Sequence, residues 1–174
     1  MSEKIAGMFM RENVVAEMCN LASELYEKSR YGEKKGDRFS YSLLEALYLV
    51  EREKMDVYSG RKKLDFDAFL GKAQRLEAGF RVRYEVFKDL RNRGYIVKTA
   101  LKFGADFRVY DKGVKPGEDH ARWIVYPVFG SEKLTWFDFS AKNRVAHSTK
   151  KKLLMAVVDD EGDVTYYEVG WVKP

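Results

Sequence analysis

The sequence predicts an α+β protein in two parts: a small N-terminal α+β domain over residues 1–79, and a C-terminal α/β domain over residues 80–174 with a mixed central sheet flanked by helices. Three observations predict it. Apolar residues recur at helical spacing in several stretches before Gly94, and after Gly94 the chain changes to short runs rich in Val, Tyr, Phe and Ile. At 174 residues, 45% hydrophobic and 34% charged, the chain has the composition of a globular protein and the length for one domain or two small ones.

Asn13 to Arg30 carries Val14, Val15, Met18, Leu21, Ala22 and Leu25 at mixed spacing, which fits a strand turning into a helix. The clearest break follows, at Gly32 to Arg38. Ser40 or Ser42 then caps a helix whose stripe is Leu43, Leu44, Leu47, Tyr48 and Val50. Asp65 caps a second helix that turns Phe66, Phe69, Leu70, Ala73 and Leu76 inward and stops near Gly79, where the domain boundary is placed. Tyr84, Phe87 and Leu90 repeat at three-residue spacing in a third helix, and Gly94 sits where a left-handed terminal residue belongs.

Strands are expected at Tyr95 to Leu101, Asp106 to Tyr110, Trp123 to Val128, Leu153 to Val158 and Val164 to Val172, with a helix at about Ser140 to Lys151. Asp159 to Asp163 closes a hairpin through Gly162. Tyr110 ends a strand, and Asp111 to Asp119, with Gly113, Pro116 and Gly117, reads as an exposed loop that returns His120 toward the sheet. Taken singly, Tyr110 is a half-buried sheet residue and His120 a surface histidine. In the expected helix, Arg144 and Lys151 lie seven apart and so share a face with Ser148, with Lys150 and Lys152 at its margins. His147 reads as a packing residue.

The single cysteine, Cys19, excludes an internal disulfide and reads as buried and structural; with two histidines there is no sulfur or imidazole zinc cage. No cofactor or metal is expected. No run approaches roughly 18 apolar residues, and Met1 to Asn13 lacks the pattern of a signal peptide, so a cytoplasmic protein with no membrane partner is expected. A net charge of +5 points to an anionic partner or to a solvated lysine excess.

Three stretches carry a resemblance: GYIVKTALKFGADFRVY from Gly94 to Tyr110, then His120, then RVAHSTKKKLLMAVVD from Arg144 to Asp159. In order and spacing they resemble the archaeal tRNA-splicing endonucleases of the single-repeat, homotetrameric type. YEVFKDLRNRGY (Tyr84 to Tyr95), SLLEALYLV (Ser42 to Val50) and, more loosely, IAGMF near the N-terminus extend it over nearly the whole chain. The resemblance implies that residues 80–174 form a nuclease-like catalytic domain. It further implies that Tyr110 is the general base on a ribose 2′-OH, His120 the general acid for the leaving 5′-oxygen, and Lys151 the cation that stabilises the transition state. A free phenol, with pKa about 10, is a weak base at neutral pH, so that role asks for neighbouring cations. An imidazole, near pKa ~6.5, suits proton donation.

Arg144 matches the arginine that stacks on a bulged base, and Ser148, Lys150 and Lys152 are expected to add RNA contacts. The implied substrate is precursor tRNA folded as a bulge-helix-bulge, cut without metal to leave a 2′,3′-cyclic phosphate and a 5′-hydroxyl. Asp159, Asp160, Glu161 and Asp163 match an acidic hairpin that docks in a basic cleft of another subunit, which implies self-association as a homotetramer. Two other readings stand beside this one. Glu85, Asp89, Asp106 and Asp111 could gather Mg²⁺ in a metal-dependent nuclease. The chain could also be a non-catalytic RNA-binding or structural subunit of a mixed assembly.

Overall fold

The structure is a computed structural model and describes residues 3–101 and 104–174. Met1 and Ser2 of the N-terminal domain, and Lys102 and Phe103 of the stretch from Gly94 to Tyr110, lie outside the described residues. The chain divides into two compact units, one ending at Arg81 and one beginning at Val82. Each builds a mixed sheet with helices against it, an α+β architecture. Among the described residues no helix is long and apolar enough to cross a membrane.

The first unit contains β1 (Ile5–Met10), β2 (Asn13–Glu17), α1 (Asn20–Ser29), β3 (Glu33–Lys35), β4 (Arg38–Ser42), α2 (Leu43–Glu51), β5 (Met55–Ser59), β6 (Lys62–Leu64) and α3 (Phe66–Leu76). Its strands lie in the order β3-β4-β2-β1-β5-β6, and only β1 and β5 run parallel. The strand turning into a helix is present as β2 and α1. The break expected at Gly32 to Arg38 is instead a tight hairpin, β3 to β4, whose outer strand is fully exposed and charged. Cys19 is half-buried rather than buried: it caps α1, its Sγ accepting from the Ala22 N–H at 3.4 Å.

Ser42 is the cap that α2 uses, in a reciprocal box with Glu45. Leu43 to Leu49 are all buried, so α2 is enclosed on every side and the expected single stripe, with half-exposed Val50 in it, is too narrow. Glu45 is only 5% exposed. Its Oε1 accepts from the Gly32 N–H at 3.2 Å and its Oε2 from the Ser42 N–H at 3.0 Å. Gly32 is obligatory there: its φ is +76°, and a Cβ would meet the Tyr41 ring at 2.8 Å. Asp65 caps α3 as expected, and Phe69, Leu70 and Ala73 are buried. Leu76, expected inward, is 39% exposed because it falls on the last turn.

The second unit contains most of α4 (Phe80–Asn92), then β7 (Ile96–Thr99), β8 (Phe107–Tyr110), β9 (Trp123–Phe129), α5 (Trp136–Ser148), β10 (Lys152–Val158) and β11 (Val164–Val169). Gly94, at φ +95°, ends α4, and the Tyr95 N–H returns to the Leu90 carbonyl at 3.1 Å. The strands lie in the order β11-β10-β9-β8-β7, antiparallel except for β9 and β10, which α5 connects. Strand register assigns the faces. Phe107 meets Phe87 of α4 on one side, whereas Ile124, Tyr126, Leu153 and Met155 pack with Ala146 of α5 on the other.

The α5 boundaries differ from the expected Ser140 to Lys151. Thr135 caps the helix, accepting from the Asp138 N–H at 3.1 Å, so it begins a turn earlier. Trp136 and Phe137 in that turn are 83% and 75% exposed, which removes the apolar stripe that would have marked it. It also ends earlier: Thr149 donates its hydroxyl to the Val145 carbonyl at 2.8 Å, and Lys150 takes a left-handed backbone at φ +56°.

Candidate active site at one end of the C-terminal sheet

Topology brings three chain segments together. β8 runs toward Tyr110, antiparallel β9 starts at Trp123 beside it, and β10, parallel to β9, starts at Lys152 opposite Trp123. The end of β8 and the starts of β9 and β10 therefore lie at one end of the sheet. The Arg122 N–H donates to the Val109 carbonyl at 2.9 Å and the Lys152 N–H to the Arg122 carbonyl at 3.0 Å, which fixes the spacing of all three. His120 lies three positions before the first residue of β9, and Lys151 immediately precedes β10.

Tyr110, His120 and Lys151 line one cleft of about 390 Å³, with Arg108, Glu118 and Asp119. Tyr110 is 5% exposed, its ring packed with Ile96 and Ala121, so the phenol is held by the hydrophobic cluster beneath it rather than left half-buried. His120 is exposed; its backbone N–H donates to its neighbour Asp119 at 2.7 Å, which folds that carboxylate back on the loop. Lys151 donates from Nζ to the Thr149 carbonyl at 3.0 Å. Side-chain alternation puts Lys151 on the sheet face of Leu153, which register also makes the face of Tyr110. The cleft thus gathers a phenol, an imidazole and an ammonium, the groups that donate, accept and stabilise charge in acid–base chemistry.

The same two units match families described as tRNA intron endonuclease, N-terminal domain, over residues 5–70, and tRNA intron endonuclease, catalytic C-terminal domain, over residues 80–166. The chain belongs to the tRNA intron endonuclease family. Relatives include a tRNA-splicing endonuclease of Methanothermobacter thermautotrophicus, 41% identical over 98% of this chain and 99% of its own length. Another, from Pyrococcus furiosus, is 43% identical over 93% of each chain, and one from Thermococcus onnurineus is 39% identical over 99% of each.

Other residues singled out in this member of the tRNA intron endonuclease family lie elsewhere. Arg144 and Lys151 do not share a helix face, because α5 ends before Lys151. Arg144 instead borders a groove with Phe139, Val169 and Trp171. Ser148 is exposed and donates its hydroxyl to the Val145 carbonyl at 3.1 Å; Lys150 is exposed in the left-handed turn. Lys152 projects to the opposite sheet face and pairs with Glu168 at 3.2 Å. The Trp123 indole and the Lys152 ammonium hold the Glu168 carboxyl below its ordinary range. His147 is not a core residue but an exposed one, its ring edge-on to Trp171 at 4.2 Å.

The four carboxylates of the alternative metal reading are engaged separately. Asp106 pairs with Arg83 at 2.9 Å, Asp89 with Arg93 at 2.8 Å and Asp111 with Arg122 at 3.0 Å, while Glu85 lies beside Gly162. Burial pushes the Asp106 carboxyl above its ordinary range although Arg83 opposes it. No group of three His, Cys, Asp or Glu suited to a metal occurs among the described residues.

The acidic turn between β10 and β11 is exposed at Asp159, Asp160, Glu161 and Asp163. Asp159 also organises it, its Oδ1 accepting from the N–H groups of Glu161 and Asp163, both at 2.9 Å. Arg108 is the cleft residue the sequence reading missed. Its signal was its position two residues before Tyr110 on the same strand, which puts both side chains on one face.

Proposed function

We propose that this chain excises introns from precursor tRNA by metal-independent cleavage at bulge-helix-bulge junctions. The observation that carries the reading is the meeting of Tyr110, His120 and Lys151 in one cleft of a tRNA intron endonuclease family member. Tyr110 takes the proton of the ribose 2′-OH as its oxygen attacks phosphorus. His120 gives a proton to the departing 5′-oxygen, and Lys151 stabilises the charge on the phosphorane. One P–O bond forms and one breaks, leaving a 2′,3′-cyclic phosphate and a 5′-hydroxyl. Residues 80–174 form the catalytic domain and residues 1–79 the accompanying N-terminal domain, and the protein works in the cytoplasm.

Cleavage of a bulge-helix-bulge RNA in excess EDTA tests the chemistry. The expected rate equals that without chelator, and the expected products carry cyclic phosphate ends. Silence in EDTA restored by Mg²⁺ would overturn the metal-free route.

Two bulges must be held together, so the chain is proposed to act as a homotetramer. The exposed acidic turn docks in another subunit, Arg144 stacks on a bulged base, and Ser148, Lys150 and Lys152 contact RNA. Reversing Asp160 and Glu161 to lysine spares the Asp159 carboxylate that builds the turn. The expected result is a smaller particle in mass measurement; an unchanged tetramer would remove the acidic turn from the interface.

A further inference from the structure

We propose that Arg108 is a further substrate-binding residue of this cleft, gripping a backbone phosphate of the RNA with its guanidinium; this rests on the function proposed above. Arg108 and Tyr110 occupy alternate positions of β8 and line the cleft together. The Arg108 Nε is buried and has no hydrogen-bond partner among the described residues. Buried donors left unanswered are rare in folded proteins and call for an explanation.

The charge is unanswered as well. Arg83, Arg93 and Arg122 each pair with an aspartate, whereas Arg108 has no ion pair among the described residues. Its partner across β7 is Lys98, another cation. The two carboxylates that share the cleft are committed to their own loop: Asp119 to the His120 N–H at 2.7 Å and Glu118 to the Lys115 N–H at 3.3 Å. A guanidinium in such a setting presents a planar fork that matches two phosphate oxygens at once. The RNA backbone is the anion that the proposed reaction brings into the cleft.

The test is equilibrium binding of a bulge-helix-bulge RNA with 2′-deoxy nucleotides at the cut sites, measured over a range of salt for the full chain, Arg108→Met and Arg108→Lys. Arg108→Met is expected to bind about tenfold more weakly. Its slope of log affinity against log salt should fall by roughly 0.7 to 0.9, the share of one phosphate. Arg108→Lys is expected to keep the slope and lose about threefold in affinity, because an ammonium lacks the fork.

Parental affinity and slope in a folded Arg108→Met, or weaker binding at an unchanged slope, would overturn the proposal. If melting shows that Arg108→Met does not fold, Arg108→Lys decides: parental affinity overturns the phosphate grip, and weaker binding at a kept slope supports it. Cleavable RNA separates the two levels. A parent chain that cuts, beside an indifferent Arg108→Met, removes only the Arg108 role; a parent chain that cuts nothing removes the proposed function itself.

Discussion

Replacing His120 or Lys151 with alanine is expected to lower single-turnover cleavage of a bulge-helix-bulge RNA by about 10²-fold or more, with little change in binding. A factor of that size is about 2.7 kcal/mol of barrier. The reasoning separates ground state from transition state: a proton for the leaving oxygen and a cation for the phosphorane are both needed only while bonds change. Neither substitution threatens the fold. His120 is exposed, and its bond to Asp119 uses the backbone N–H, which alanine keeps; Lys151 gives up one bond to the Thr149 carbonyl. The two effects should not multiply in the double variant, since groups acting on one step fail together. Full cleavage by either single variant would remove that residue from the proposed chemistry.

Glu45→Ala is expected to destabilise the first unit by about 3 kcal/mol, the sum of a lost helix cap and of buried N–H donors left unanswered. The Glu45 carboxylate is buried and receives the N–H groups of Gly32 and Ser42 on its two oxygens. It thereby ties the start of α2 to the left-handed turn that leads into β3. For a chain of this size that loss corresponds to a fall in melting temperature of roughly 6–12 °C. Glu45→Gln keeps one acceptor oxygen and is expected to lose less. A Glu45→Ala protein that melts with its parent would show that these bonds are replaced by water at no cost.

Legibility followed the range of the physical signal. Helices α2, α3 and α4 are marked by caps and by short-range apolar spacing, and β8 to β11 by β-branched runs with Gly162 between the last two. Strands β3 and β6, three residues each and mostly charged, leave no local mark, since what makes them strands is their pairing with β4 and β5. The start of α5 was hidden because Trp136 and Phe137 face solvent, against the usual pattern. At the site, Tyr110 and His120 were readable as a strand end and a loop return. Lys151 was reached through the family motif while its local structure was misread as helix. Arg108 leaves only a weak local mark, its alternation with Tyr110 along β8, because the commitment of Glu118 and Asp119 to their own loop is set by the fold.

The left-handed step at Lys150 has an implication for how such chains can diverge. Since side chains alternate along β10, inserting one residue between Lys151 and Lys152 would swing the ammonium to the sheet side occupied by Glu168. Asp111 to Asp119 is under no comparable restriction, because the ladder between β8 and β9 sets its endpoints whatever its length. A change in length would thus be absorbed on the Asp111 to Asp119 bank of the cleft, whereas the step from Lys151 into β10 admits none without moving the ammonium.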